Sequence, residues 1–268
     1  MNTPAGKVRI RMRAERFSPA AGWRWAAEGF ALFRKSPGFV NFLWFATWLG
    51  VLVVSLFPVI GQAVGSLLMP GLLAGIFNGC RALERGEKPN PAVLLSAFQQ
   101  SRGVLLRVGA AYLLASSVVF AASLLLAGDA LQPLMSGKDL NAPIDPEVAK
   151  QLLVQLLITL QLALVLSSPT LVAAPLAAWH GLPVGKALFF ALVGVLRNLA
   201  PLGVLYLIWI MMSLGLPWLL LSVAPGALKT VLQLVVSFAL AFVVVPAAIA
   251  SFYRAISDIF QRDGELGS

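Results

Sequence analysis

The sequence has little charge and almost none of the residue types that build reactive sites. Only 12% of its 268 residues are charged, and it contains one cysteine and one histidine. A lone cysteine excludes an internal disulfide, and one histidine beside it excludes the usual zinc cage. Soluble domains carry about 25% charged residues, so this chain does not have the surface composition of one.

Apolar residues make up 59% of the chain, more than a water-soluble globule of this size can bury. The excess is therefore expected to face lipid. The net charge of +9 would indicate nucleic acid as a partner in a soluble protein. Here the basic residues flank apolar runs, so we expect anionic lipid headgroups as the counterpart and no nucleic acid.

Long uncharged runs predict six transmembrane helices. About 20 apolar residues cross the hydrocarbon core of a bilayer, and residues 38–80 contain no charged side chain. These segments are apolar on every side, which favours helices over the alternating strands of a barrel. The predicted fold class is therefore all-α and polytopic, with spans at about 38–57, 59–80, 104–127, 150–179, 199–222 and 230–253.

The remaining segments are short and polar. We predict a basic tail over 1–17, a single transmembrane domain over 18–260 with an outer loop over 128–149, and a polar tail over 261–268. The first long apolar run begins near residue 38, too far along the chain for a normal signal peptide. The first span is therefore expected to remain as an anchor.

The distribution of basic residues predicts the orientation. With six spans, 17 of the 20 Lys and Arg residues fall on the side that holds both termini. Cytoplasmic segments of membrane proteins carry such an excess. We therefore predict a multi-pass protein of the bacterial inner membrane with both termini in the cytoplasm.

Two or three amphipathic helices are predicted to lie in the membrane plane on the cytoplasmic side. Ser18-Pro19 starts the first of these, with Trp23, Ala26, Ala27, Phe30 and Phe33 on one face and Arg24, Glu28 and Lys35 on the other. Asn90-Pro91 starts the second, and Pro183 starts a third candidate. Each would precede two membrane helices, which would make the chain a threefold internal repeat.

Reactive chemistry is not indicated by the spans. Intramembrane enzymes and proton-coupled pumps usually hold an ionisable residue at depth, and these spans have no Asp, Glu or Lys well inside. We therefore predict no enzyme activity, no catalytic residue, no metal site and no cofactor.

Three groups of residues are candidates for function or packing. Basic residues at the predicted cytoplasmic ends could contact lipid headgroups or serve as snorkelling anchors: Arg24, Arg34, Lys35, Arg107 and Arg197. Polar residues on one face of the fourth span could line a hydrated cavity or pack between helices: Gln151, Gln155 and Thr159. Glycines at four-residue spacing in the second span would let another helix approach closely, within this chain or in a second subunit: Gly61, Gly65, Gly71, Gly75 and Gly79.

Three stretches carry a resemblance to known proteins: residues 22–37 (GWRWAAEGFALFRKSP), 57–61 (FPVIG) and 252–260 (FYRAISDIF). They resemble a family of uncharacterised bacterial inner-membrane proteins. More loosely, they are similar to the membrane domains of some glycerophosphodiester phosphodiesterases. The family has no assigned activity, so the resemblance implies a topology and no catalytic residues. Because this chain has no soluble phosphodiesterase domain, the looser similarity implies no enzyme.

Two functions remain open from the sequence. The basic inner rim and the Trp-rich surface helix favour a non-catalytic protein that organises or binds membrane lipids or envelope proteins. The candidate repeat and the Gln/Thr face instead favour a transporter or channel for a small, largely uncharged solute.

Overall fold

The computed structural model describes residues 14–57, 60–127, 155, 159 and 168–260. It is 89% helical, which confirms the all-α class. Most of the predicted span 150–179 lies outside the described residues, as do the predicted outer loop 128–149 and the tail 261–268. Six spans, the threefold repeat and the division into one domain with two tails therefore stay predictions.

The described residues are almost all helical. In chain order the helices are α1 Ala20–Lys35, α2 Pro37–Ser55, α3 Ile60–Glu84, α4 Ser96–Ala127, α5 168–180, α6 Val184–Arg197, α7 Leu199–Ile210, α8 Leu216–Val223, α9 Gly226–Ala239 and α10 Val245–Ile259. A 3-10 turn, Pro91–Leu95, leads into α4. Single π-helical turns, Met211–Gly215 and Leu240–Val244, join α7 to α8 and α9 to α10.

Within the described residues, five helical stretches are long and apolar enough to cross a membrane. They are Pro37–Ser55, Ile60–Glu84, Pro91–Leu125, Leu199–Leu220 and Leu228–Ile259. Each contains most of a span predicted from the sequence. The chain is therefore an all-α polytopic membrane protein, as predicted.

The predicted amphipathic segment after Asn90 continues directly into a membrane helix. The side chain of Asn90 accepts a hydrogen bond from the backbone N–H of Ala92 at 3.0 Å, as an N-cap residue does. The helical path then bends at Ser101, whose φ of −147° and ψ of 44° are not helical. A kink therefore separates the first turns of α4 from its apolar length.

Proline accounts for the π-helical turns. Pro217 and Pro246 each follow one of these turns by two residues. Proline has no N–H to donate and its ring crowds the preceding turn, so the helix widens there to accommodate it. The long apolar stretches near the C-terminus are consequently each built from two helices.

Contacts within the chain group its residues into two compact units. The first comprises the residues up to Leu49, Gly75–Ser96 and the chain from Phe189, and the second comprises Gly50–Ala74 and Ala97–Leu188. Trp25, Tyr253 and Phe77 are among the largest fully buried side chains of the first unit. In the second unit the backbone of Gly109 lies against the carbonyl of Leu67, where a Cβ would not fit.

Helix α1 is held closely by two helices of its own unit. A Cβ on Gly22 would overlap the carbonyl of Pro201 in α7, and a Cβ on Gly29 would overlap Ser251 in α10. The absence of side chains at these two positions lets the three backbones approach one another. This approach determines which face of α1 is covered.

Candidate functional site

The carboxylate of Asp258 is contacted by three side chains of the first unit. It is 4% exposed. Its Oδ2 accepts hydrogen bonds from Nη2 of Arg24 at 2.9 Å and from Nε1 of Trp25 at 2.8 Å. Its Oδ1 lies 3.4 Å from Nη2 of Arg254, one helical turn earlier in α10. A buried carboxylate needs such partners, because removal from water otherwise disfavours its charge.

The same arginine continues the network to two further carboxylates. Arg254 is paired with Glu28 of α1 at 3.0 Å and with Glu84 at the end of α3. Glu84 also accepts a hydrogen bond from the hydroxyl of Tyr253. We call Arg24, Glu28, Glu84, Arg254 and Asp258 the ion-pair network.

The ion-pair network fixes α1 and the ends of α3 and α10 to one another. All three carboxylates of the network contact the guanidinium group of Arg254. Among the residues that the structure describes, no group of three or more His, Cys, Asp or Glu side chains is arranged to hold a metal ion. The chemistry that this arrangement supports is mutual neutralisation and positioning.

The apolar residues predicted to lie on one membrane-facing side of α1 are divided between the protein interior and the surface. Trp25 is fully buried, and Ala26, Gly29 and Phe33 are buried with it. Ala26 and Phe33 are predicted to share one membrane-facing side with Trp23, Ala27 and Phe30, but Trp23 is 67% exposed. The predicted face is divided because α1 has apolar residues on two sides, and its glycines select the side that packs.

The other side of α1 presents an exposed stripe. Trp23 is 67% exposed and Phe30 is 40% exposed, and Ala27 between them is exposed as well. They lie four and three residues apart, so they share one face of the helix. Arg34, four residues after Phe30, continues this face and is exposed, as is Lys35. We call Trp23, Ala27, Phe30 and Arg34 the α1 stripe.

The predicted headgroup residues have different surroundings. Arg24 is half-exposed but its guanidinium is paired with Asp258 at 2.9 Å. Arg34, Lys35 and Arg107 are exposed. Arg197, at the end of α6, lines a surface cleft together with Arg16 and Leu196. Arg24 and Arg197 are brought into the first unit by its contacts, whereas Arg107 belongs to the second unit.

The five glycines of α3 all face other parts of this chain. A Cβ on Gly71 would overlap the ring of Phe98, and one on Gly75 would overlap the carbonyl of Leu94. Gly79 faces the side chain of Leu43 in the same way. At the start of α3, Gly61 lies against the backbone of Val54 and Gly65 lies near Val51 and Ser55.

The polar residues predicted to line a cavity are described in part. Gln151 lies outside the described residues. Gln155 donates a hydrogen bond from Nε2 to the carbonyl of Ser123 in α4 at 2.9 Å. Thr159 is half-buried. The side-chain amide of Gln155 therefore joins two parts of the second unit.

Sequence reasoning misses several residues that connect distant segments of the first unit. It includes Asp258 and Arg254 only as part of the closing motif 252–260, and it gives Asn198 no role. Asn198 is fully buried and bonds to the backbone of Glu15 and Phe17. The one available signal is the spacing of Arg254 and Asp258, which places opposite charges one helical turn apart in an otherwise apolar helix.

Comparison with known proteins gives a relative of nearly equal length. The chain is 30% identical over 248 residues to the probable inner membrane protein BTH_II0599 of Burkholderia thailandensis. The match covers 91% of this chain and 92% of the relative. No family model matches the chain, and no solved structure matches it. The looser similarity to phosphodiesterase membrane domains has no support in these matches.

The description of this relative, which matches over 91% of the chain, agrees with the inner-membrane location that the apolar helices predict. The prediction of a bacterial inner-membrane protein is thereby confirmed. The chain belongs to the family of this probable inner membrane protein of Burkholderia thailandensis.

Proposed function

We propose that the protein is a non-catalytic inner-membrane protein that binds anionic phospholipids at the cytoplasmic face, with both termini in the cytoplasm. The α1 stripe is the observation that carries this proposal. It combines exposed aromatic residues with an exposed cation at one end, on a helix whose opposite face is buried. Aromatic rings enter the headgroup boundary of a bilayer while cations contact its phosphates.

The packing of α1 supports binding to lipid through this one face. Gly29 lies against α10 and Gly22 lies against α7, so Trp23 and Phe30 cannot turn inward without separating these helices. Their exposure is therefore a fixed property of the fold. A lipid surface is an environment in which such exposure lowers the free energy of the protein.

The orientation is supported by charge and by the ion-pair network. Seventeen of the 20 Lys and Arg residues fall on the side of the termini when six spans are assumed. Residues of α1, the end of α3 and the end of α10 meet in one network, as expected if these three segments share one side of the membrane. A reporter enzyme that is active only in the cytoplasm, fused after Ser268, should therefore be active.

The absence of catalysis is part of the proposal. Its support is that the clustered ionisable groups of the first unit are paired with one another: Arg24 with Asp258, and Arg254 with Glu28 and Glu84. A general acid or base must reach a substrate, and paired groups at this spacing reach each other.

One observation that favoured a solute transporter, the polar face of the predicted fourth span, has another explanation. The transporter hypothesis requires Gln155 to face a hydrated path, but the amide of Gln155 donates to the carbonyl of Ser123. Interhelical hydrogen bonds of this kind are a common packing device in membrane proteins. The contact of Gln155 therefore gives the transporter hypothesis no support.

The lipid proposal can be tested on purified protein reconstituted from mixtures of phosphatidylglycerol and phosphatidylcholine. The Arg34→Gln/Lys35→Gln variant should retain less phosphatidylglycerol than the wild type after detergent extraction. Arg24 is left intact because it is needed by Asp258. The matched control is Arg85→Gln/Lys88→Gln, which removes two exposed cations from the connection after α3.

Equal loss in both variants would show diffuse charge attraction and would contradict a site on α1. Unchanged retention in the α1 variant would contradict the proposal itself. Trp23→Ala/Phe30→Ala should also reduce retention, because it removes the part of the stripe that enters the headgroup boundary.

A further inference from the structure

Arg16 and Arg197 line one surface cleft although 181 positions separate them in the chain. The cleft has a volume of about 460 Å³, and Leu196 is its third lining residue. Both arginines are exposed, and Leu196 is 56% exposed. Arg197 also approaches the carbonyl of Ala14, with Nη1 at 3.5 Å from the oxygen. We call this feature the arginine cleft.

Asn198 holds the two arginines beside each other. Its Nδ2 donates to the carbonyl of Glu15 at 2.7 Å, and its Oδ1 accepts from the N–H of Phe17 at 2.9 Å. These two bonds bracket Arg16, while Arg197 directly precedes Asn198 in the chain. Because Asn198 is fully buried, both arginines are attached to one rigid point. The cleft is therefore preorganised, which lowers the entropic cost of binding.

The backbone of the N-terminal segment is fixed from a second side. The N–H of Glu15 donates to the carbonyl of Ile259 at 3.1 Å, at the end of α10. Ala14 is buried beside it, at 6% exposure. Arg16 is thus a side chain on an anchored stretch of backbone and not part of a free tail.

An apolar stripe on α6 leads to the cleft. Phe189, Leu192 and Leu196 are 60%, 44% and 56% exposed and lie three and four residues apart, so they share one face. The opposite face is buried, and Gly194 lies against the ring of Phe260 there. The stripe ends at Leu196, beside Arg197. A hydrocarbon chain along the stripe would place an attached anionic group at the arginines.

We infer that the arginine cleft binds the phosphate of an anionic phospholipid, with an acyl chain lying along Phe189, Leu192 and Leu196. This inference rests on the proposed function in assuming that the lipid is reached from the same membrane face. Guanidinium groups form paired, charge-assisted hydrogen bonds to phosphate oxygens, and two of them present a doubled positive charge. A free phosphate ion would use the arginines alone, whereas a phospholipid also uses Leu196.

The inference can be tested by calorimetric titration of the full-length protein in detergent with dihexanoylphosphatidylglycerol below its micelle concentration. Glycerol 3-phosphate, inorganic phosphate and dihexanoylphosphatidylcholine form the comparison arms. Arg16→Gln and Arg197→Gln should each weaken phosphatidylglycerol binding about tenfold, the loss expected for one charged hydrogen-bonding partner. Arg102→Gln, an exposed arginine of α4, is the matched control and should change nothing.

The four ligands distinguish a phospholipid site from a site for free phosphate. Weaker binding in both arginine variants, with soluble phosphates binding at least about tenfold more weakly than the lipid, supports the inference. Soluble phosphates that bind as tightly as the lipid would overturn the lipid assignment, as would equal affinity for phosphatidylcholine. Leu196→Ser should weaken binding of dihexanoylphosphatidylglycerol and leave the binding of glycerol 3-phosphate and inorganic phosphate unchanged.

The result is independent of the test of α1. Arg34→Gln/Lys35→Gln leaves the arginine cleft intact, so that variant should keep wild-type titration with dihexanoylphosphatidylglycerol. If the α1 variant retains lipid normally while the Arg16 and Arg197 variants lose titration, the proposed role of α1 fails and the cleft stands. If the Arg16 variant titrates normally, the cleft fails whatever the α1 variant does.

Discussion

The side-chain amide of Asn41 donates a hydrogen bond to the backbone carbonyl of Phe242 at 3.0 Å. Phe242 precedes Pro246 by four residues, so its carbonyl would normally accept from the N–H that proline lacks. The π-helical turn Leu240–Val244 lies at the same point. Asn41 of α2 therefore satisfies an acceptor that the sequence of another membrane helix leaves open.

Replacing Asn41 with alanine should destabilise the protein by about 0.6–1.7 kcal/mol, from the mean to the maximum of measured side-chain hydrogen bonds between membrane helices. The destabilisation caused by Asn41→Ala should be smaller in a Pro246→Ala background. The alanine introduced there has a backbone N–H that can donate to the carbonyl of Phe242. Unfolding in mixed detergent, measured for the wild type, both single variants and the double variant, gives the coupling energy. Additive effects would show that Asn41 does not act on the proline-freed carbonyl.

Asp258→Ala should be the most damaging single change in the ion-pair network. It would leave Nε1 of Trp25 without its acceptor in a fully buried position and would release Arg24 and Arg254 from a shared partner. Removing one partner of a buried ion pair typically costs about 3–5 kcal/mol. Asp258→Asn, which keeps an oxygen acceptor for Trp25, should cost less. The free energy of unfolding in mixed detergent is the measurement.

The control for Asp258 is Glu87→Ala, which removes an exposed carboxylate from the connection after α3. Surface changes of this kind are usually within about 0.5 kcal/mol. A similar cost for Glu87 and Asp258 would mean that the network is a set of solvated surface pairs.

The sequence is sufficient for the parts of the fold that depend on local chemistry. Uncharged runs locate the helices that can cross a membrane, and Asn90-Pro91 marks the cap that the Asn90 side chain makes. The dipeptide Pro225-Gly226 is typical of a turn, and Gly226 has a φ of +46° at the start of α9. Each of these signals is contained within a few consecutive residues.

Contacts between residues that lie far apart in the chain could not be predicted from the sequence. Arg24 and Asp258 meet across 234 positions, and neither residue alone distinguishes an ion pair from a headgroup contact. The arginine cleft likewise depends on Asn198, whose role is visible only when residues 14–17 lie against it. For the same reason the sequence does not show which apolar residues of α1 are buried, since packing partners decide which of two apolar faces is covered.

Gly29→Ala should separate α1 from α10. A Cβ at this position would overlap the backbone and side chain of Ser251, which is itself fully buried. Overpacking of this kind typically costs about 1–3 kcal/mol. Gly38→Ala is the matched control, because a Cβ there meets nothing within 4 Å. Unfolding in mixed detergent should show a loss for Gly29 and little change for Gly38.

Asn198→Ala should release the N-terminal segment while leaving the helices in place. The substitution removes two hydrogen bonds to the backbone of Glu15 and Phe17 and a third, at 3.0 Å, to the carbonyl of Gly194. With each net bond contributing about 1 kcal/mol, opening of the segment should become about ten- to a hundredfold more frequent. Limited trypsin digestion, monitored at the Arg16–Phe17 bond by mass spectrometry, should accelerate by a comparable factor.

The matched control for this experiment is Asn90→Ala, which removes an exposed cap far along the chain and should leave cleavage at Arg16 unchanged. Accelerated cleavage at every basic site in the Asn198 variant would indicate global unfolding. Acceleration confined to Arg16 would show that one buried amide decides whether Arg16 is held beside Arg197. In that case the variant should also lose affinity for dihexanoylphosphatidylglycerol, because both arginines would be present but no longer presented together.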